Sequence, residues 1–350
     1  MRAEEPRRQT RHNSSCLRYT DRMKRKSATL VMMLVAFRLA AEAAPAQGAS
    51  AIAYGITSTT ALSLPHYIAE EKGFYAAADL NVTTYVAGAA AAVLQQLAGG
   101  SLNIAQAATD QTLRAIMRGA PIRIVAGASS NAPFRMVAAR NIARWSDLKG
   151  RTVSVGGLTD VTLYFLRVMA RRNGVADRDY DLLYGGGSPN RLAQLLSGAV
   201  AGAVLTNPQD FSALERGFVD LGSVPQYLPR WAQNNLIVDT RWAARHHAEV
   251  AAFLRTHIMA TRYFYDATNR DEIIAIIAKH TRTSLPIAAL TYDLYLKDEV
   301  IAPEGALFPE GIQANLDAFV MMGEIASAPA LAGFLDTSFL AEAARSGPAH

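Results

Sequence analysis

Cysteine is almost missing from this chain: its 350 residues hold one, Cys16. That cysteine precedes a stretch that reads as a secretory leader. Residues 23–26 give a basic start, residues 28–37 an apolar run, and Ala44-Pro45-Ala46 a small-x-small cleavage pattern. Arg38 interrupts the late part of the run. Residues 1–22 read as an upstream extension, with Met1 and Met23 the two candidate starts. Cutting after Ala46 leaves 304 residues without cysteine, which excludes disulfides, thiolate metal sites and a cysteine nucleophile. No cysteine follows the apolar run to carry a lipid anchor. Beyond residue 46 no apolar run approaches the roughly 20 residues that a membrane span needs, so the exported form is expected to be soluble and periplasmic.

Charge is also sparse, at 19% of residues, and the net charge of +5 is misleading. The first 46 residues hold ten of the 35 Lys+Arg and four of the 30 Asp+Glu, leaving 25 against 26. The remainder sits near −1, so the basic pI is no footprint of nucleic-acid binding. Walker loops, dinucleotide fingerprints and G-x-S-x-G elbows are absent too. His246 and His247 are adjacent, so they cannot share a helix face as an i, i+4 metal pair does. No catalytic residue, metal or cofactor is expected, and the chain reads as a non-enzyme.

What is present is an internal repeat. Residues 94–105 read LQQLAGGSLNIA and residues 192–203 read LAQLLSGAVAGA. Each has Leu, Leu and Gly three apart, then an apolar residue two further on. Strand-like runs at 51–56, 81–86, 102–105 and 122–126 alternate with helical ones at 63–73, 89–98 and 111–117. The cycle restarts after 134–139, with strands at 152–155, 182–184 and 200–205 and helices at 161–172 and 190–196. Such alternation predicts mainly parallel sheets flanked by helices. From residue 250 the pattern is mainly helical. The domain reading is a leader at 1–46, a first lobe at 47–134, an inserted second lobe at 135–232, and a return to the first lobe at 233–350. Two hinge crossings are expected, at 132–135 and 228–234.

Ligands of open parallel sheets sit beyond the carboxyl ends of the strands. The loops expected there are 57–60, 109–110, 156–162, 185–188 and 206–207, rich in Ser, Thr, Gly and Asn. Candidate ligand contacts are Ser58, Thr59, Thr109, Asp110, Gly157, Thr159, Asp160, Thr162 and Asn207. Several have a plainer role available. Asp110 and Asp160 each precede a helix as an N-cap would, and Asn207 before Pro208 suits a turn. Arg135 reads either as a cation near the hinge or as a surface arginine. Trp231 and residues 263–265 are possible stacking platforms, although the apolar helix around 263–265 favours core packing.

In LPHYIAEEKGFY (64–75), LAGGSLNIA (97–105), DLKGRTVSVG (147–156) and LLSGAVAGAVLTNP (195–208), the chain resembles periplasmic substrate-binding proteins of the sulfonate/nitrate/taurine class, pyrimidine-precursor binders included. The family usually places an acid where this chain has Asn103 and Ala201, a change expected to affect turn bracing. The resemblance implies a type II periplasmic-binding-protein fold, a monomer that closes on a small molecule, and delivery to an ABC permease in the inner membrane. A sensor that presents ligand to a receptor is equally compatible with the sequence. Enzymes on this fold, a desulfinase and a pyrimidine synthase, depend on cysteine, which the exported chain lacks. The ligand itself (sulfonate, nitrate, aromatic carboxylate or pyrimidine) is not legible.

Overall fold

The computed structural model describes residues 49–345, so the leader and its cleavage site lie outside the described residues. Two five-stranded sheets form the frame. The first contains β1 (Ser50–Ile56), β2 (Leu80–Val86), β3 (Ile104–Ala108), β4 (Ile122–Ser129) and β10 (Asn234–Asp239), in the order β2-β1-β3-β10-β4. The second contains β5 (Phe134–Ala138), β6 (Thr152–Val155), β7 (Asp181–Tyr184), β8 (Gly202–Thr206) and β9 (Val219–Ser223), in the order β7-β6-β8-β5-β9.

Each sheet is parallel except for one strand. β10 runs antiparallel to both β3 and β4, and β5 runs antiparallel to both β8 and β9. These two are the strands that the chain enters on arriving from the other sheet. It passes from the first sheet to the second between residues 129 and 134, and returns between 223 and 234. The two passages touch: Gln233 donates its amide to Ser129 O at 3.2 Å, and the Asn234 amide donates to Ser129 Oγ at 3.0 Å.

The helices flanking the sheets include α1 (Leu64–Glu71), α2 (Ala90–Ala98), α3 (Thr109–Met117), α4 (Val161–Arg172), α5 (Ser188–Leu196) and α6 (Gln209–Glu215). The repeated sequence has one physical meaning in both lobes. Leu97 of α2 and Leu195 of α5 are buried, while Gly100 and Gly198 take left-handed φ of 80° and 76°. Glycine reverses the chain there without a Cβ penalty, and Leu102 or Val200 then enters the core at 1% and 2% exposure. Asn103 does brace its turn: its Oδ1 accepts the Ala53 amide at 2.8 Å, and its own amide donates to Ala53 O at 2.9 Å. Ala201 has backbone bonds alone: its amide donates to Thr152 O and its carbonyl accepts the Ala139 amide, both at 2.8 Å.

The helical C-terminal region comprises α7 (His247–Tyr265), α8 (Arg270–Thr281), α9 (Leu285–Lys297), α10 (Pro309–Met321) and α11 (Ser338–Arg345). Its connecting segments cover the β4 edge through bridges Ser129–Ile301 and Ile124–Leu335, which closes an edge that would otherwise be open to pairing. Gly127 is required there, because a Cβ would lie 2.1 Å from Ala306 O.

One expected loop is not a loop. Ala107 and Ala108 belong to β3, and Thr109 and Asp110 open α3. β3 reads IAQAA, with a single β-branched residue, so little in its composition announces a strand. Its five residues are all buried, which is what makes it one.

Candidate functional site

Between the carboxyl ends of the two sheets lies a cavity of about 70 Å³. Both lobes wall it and touch around it. Gly187 donates its amide to Gly88 O at 3.1 Å, Ala61 donates to Asn207 O at 3.4 Å, and Gln111 Nε2 reaches Asp160 Oδ2 at 3.5 Å.

Five helices present their N-terminal ends to this space. The lining includes Ser63, Ala89, Ala108, Asp160 and Gly187, which are the N-caps of α1, α2, α3, α4 and α5. Only Asp160 caps with its own side chain, accepting from the Thr162 amide at 2.9 Å. The other four form no side-chain cap bond. A helix start without a cap leaves backbone N–H groups seeking an acceptor, and the helix dipole adds positive potential. At α1 the Leu64 amide already donates to Ala61 O, and at α3 the Thr109 amide to Gln233 O. Four uncapped ends and the Asp160-capped one around one cavity still favour an oxyanion.

Arg191 strengthens that field. It is 3% exposed, donates from Nε to Val204 O at 2.7 Å and from Nη1 to Gly186 O, and lines the cavity. Burial pulls its pKa down to about 10, while the nearby Asp160 charge acts in the opposite direction. Asp160 is occupied with its own helix, since it also accepts from Thr162 Oγ1 at 2.6 Å. Thr162 Oγ1 in turn accepts the Gly156 amide at 2.7 Å. Gln106, which lines the cavity from the middle of β3, donates to Leu62 O at 2.8 Å and so fixes the entry to α1. Ser188 Oγ accepts the Thr206 amide at 3.0 Å.

Of the residues expected to contact ligand, Ser58, Asp160 and Thr162 line this cavity. The other six sit elsewhere, for local reasons. Thr109 is fully buried and accepts from Asn235 Nδ2 at 2.7 Å. Asp110 is not the N-cap, a position held by Ala108; it lies in the first turn of α3, paired with Arg114 Nη1 at 2.7 Å. Asn207 spends its amide on both Asp210 carboxylate oxygens, at 2.8 and 2.9 Å. Gly156 rather than Gly157 lines the wall, and a Cβ on Gly156 would meet Asp160 at 2.4 Å. Thr159 faces a different pocket between α2 and α3, and Thr59 a third one beside α6.

The remaining candidates are structural. Arg135 pairs with Asp210 and Asp220 rather than with the cavity. Trp231 is 2% exposed and stacks on Tyr164 with centroids 5.2 Å apart. Phe264 is in the core, Tyr265 donates its hydroxyl to Ile301 O, and Tyr263 donates to Glu272. His246 and His247 pair with separate acids, Glu249 and Glu342.

The sequence matches the NMT1/THI5 like family model over residues 61–268. The chain belongs to the NMT1/THI5-like family. In structure it is similar to the ligand-binding component of an ABC-type import system from Staphylococcus aureus with zinc bound, at 13% identity and TM-score 0.71, covering 85% of this chain and 100% of that one. It is also similar to the periplasmic aliphatic sulphonate binding protein SsuA from Escherichia coli, at 19% identity and TM-score 0.62, covering 83% and 93%. A third similar structure is the alkanesulfonate-binding protein SsuA from Xanthomonas axonopodis pv. citri bound to MOPS, at 18% identity and TM-score 0.61, covering 84% and 96%. No match is found among curated proteins. With its two mixed sheets and the crossed connections between them, the chain has the two-lobed type II periplasmic-binding-protein fold.

Proposed function

We propose that this family member is a periplasmic solute-binding protein that captures a small molecule with an oxyanion group between its lobes and delivers it to an ABC import permease. The observation that carries this reading is the convergence of five helix N-termini, four without a side-chain cap, and the buried Arg191 on one cavity. A sulfonate or carboxylate there serves as the missing cap. The ligand class of the Escherichia coli and Xanthomonas structures, sulphonates, agrees with an anionic head. A ligand that touches both lobes binds their closed arrangement better and shifts the population toward it. Bound ligand is released unchanged: the hydroxyl–carboxylate pair in the described lining, Thr162 with Asp160, is engaged in capping α4 and in accepting the Gly156 amide.

A thermal-shift screen of alkyl and aryl sulfonates, taurine, nitrate, aromatic carboxylates and pyrimidines tests the reading. At 100-fold above the dissociation constant a ligand adds about 2.7 kcal/mol. Arg191→Gln should weaken the anionic hit by about 10- to 150-fold, the worth of a hydrogen bond to a charged group. A screen in which no anion stabilises the protein, or an Arg191→Gln variant that binds as tightly as the parent, would overturn it.

A further inference from the structure

Back to back with the central cavity lies the pocket that Thr59 lines, a groove of about 440 Å³. The two share three walls whose successive residues face opposite ways. Ser58 and Thr60 line the cavity while Thr59 lines the groove; Ser188 and Arg191 line the cavity while Pro189 and Leu192 line the groove. Likewise Thr206 faces the cavity, and Pro208 and Gln209 the groove.

We propose that this groove is a second binding site, for a small oxyanion that also carries an O–H group, such as hydrogen phosphate. Three features support it. Arg216 on the α6 side and Arg282 at the end of α8 both line the groove, and neither guanidinium has an ion pair or hydrogen bond among the described residues. Among the described residues no carboxylate lines the groove; the adjacent Glu71 is taken by Lys279 Nζ at 2.7 Å and His280 Nε2 at 2.8 Å. Gln209, also in the lining, is 5% exposed, and its Oε1 has no partner among the described residues.

An unpaired buried acceptor is costly, and it asks for a donor. Two arginines ask for an anion. One ligand group satisfies both demands: an oxyanion with a protonated oxygen. Sulfate, fully ionised near neutral pH, supplies only the charge. The walls come from both lobes, and Ser212 Oγ of α6 meets Thr283 Oγ1 at 3.3 Å beside the site. An anion held between Arg216 and Arg282 therefore spans the same lobes that enclose the cavity. Reciprocal coupling to the cavity ligand rests on the solute-binding reading above, whereas oxyanion binding in the groove does not.

Titration with inorganic phosphate, followed residue by residue through backbone amide NMR shifts, tests the site. The expected result is a saturable shift at residues 209–216 and 280–283. It should weaken about tenfold or more in Arg216→Gln/Arg282→Gln, which removes two charged donors. Sulfate should bind more weakly than phosphate, and Gln209→Leu should erase that preference. Saturable shifts confined to 57–63, 156–162 and 186–191 would place the anion in the central cavity and overturn the second site. So would shifts at 209–216 that grow linearly with salt, or that persist in the double variant. The two groups of amides report separately, so failure here is distinguishable from failure of the central site.

Discussion

A methyl group on Gly187 would come within 2.8 Å of Ser58 Cβ, although the two residues belong to different lobes. The φ of Gly187 is −65°, a value open to any residue, so the glycine is required by the neighbouring lobe and not by its own backbone. Gly187→Ala should therefore fold normally and resist the approach of the lobes. The expected outcome is an unchanged denaturation midpoint without ligand, a larger radius of gyration by small-angle scattering, and weaker ligand binding. Equal radii and equal affinities in parent and variant would show that this contact does not limit closure.

Two serines separate binding from stability. Ser188 Oγ accepts the buried Thr206 amide, so Ser188→Ala strands an N–H group and should cost about 1–3 kcal/mol of stability in a urea melt. Ser58 lines the cavity without a side-chain hydrogen bond among the described residues. Ser58→Ala should leave stability within about 0.5 kcal/mol and cost about 0.5–1.5 kcal/mol of ligand affinity. Thr59→Ala and Thr159→Ala, attractive from sequence, should leave cavity affinity intact because both side chains face other pockets. An affinity loss in either of these threonine variants would move the site away from this cavity.

The same contrasts explain what was legible in the sequence. Element types followed from local signals: glycine stops at Gly100 and Gly198, proline near the start of α1, and the β-branched run of β2. The loops expected at 57–60, 156–162 and 185–188 are found at 57–60, 156–160 and 185–187, with 161–162 and 188 already helical, because strand ends and helix starts are local features. Which residue of a loop faces the cavity is not local. Ser58 and Thr59 differ by one position and face different pockets. Nothing local in the sequence singles out Arg191; the packing of α5 on β8 buries it. Gln106 and Gln233 reach the cavity through the interleaving of β3 and β10, a pairing of residues far apart in the chain. The reversed strands of both sheets were likewise hidden, since alternation of strands and helices predicts parallel pairing and carries no mark of a chain arriving from another lobe.

His66 gives the fold an acid sensitivity that can be measured. It is 4% exposed, with Nδ1 2.9 Å from the Tyr75 hydroxyl and Nε2 2.9 Å from Thr84 Oγ1. Burial first, then the charges of His280 and His257, hold its pKa at about 3. Glu70 lies 3.9 Å away and would favour the charged ring, but it is 52% exposed and its effect is screened by solvent. An unfolded histidine titrates near 6.5. The stabilisation from a neutral folded His66 is thus complete above pH 6.5, and is lost as the pH falls from there toward 3. His257, with a pKa lowered to about 4, acts in the same direction. Asp110 and Asp210, raised by burial to about 6, act in the opposite one, favouring the folded state as the pH falls from 6. Comparing the parent with His66→Gln isolates one of these groups. Between pH 7 and pH 5 the stability advantage of the parent should shrink by about 2 kcal/mol, read from urea melts at the two pH values. An advantage of the same size at both would mean that the imidazole takes up its proton as readily in the folded protein as in the unfolded one, and that its pocket is wetter than its burial suggests.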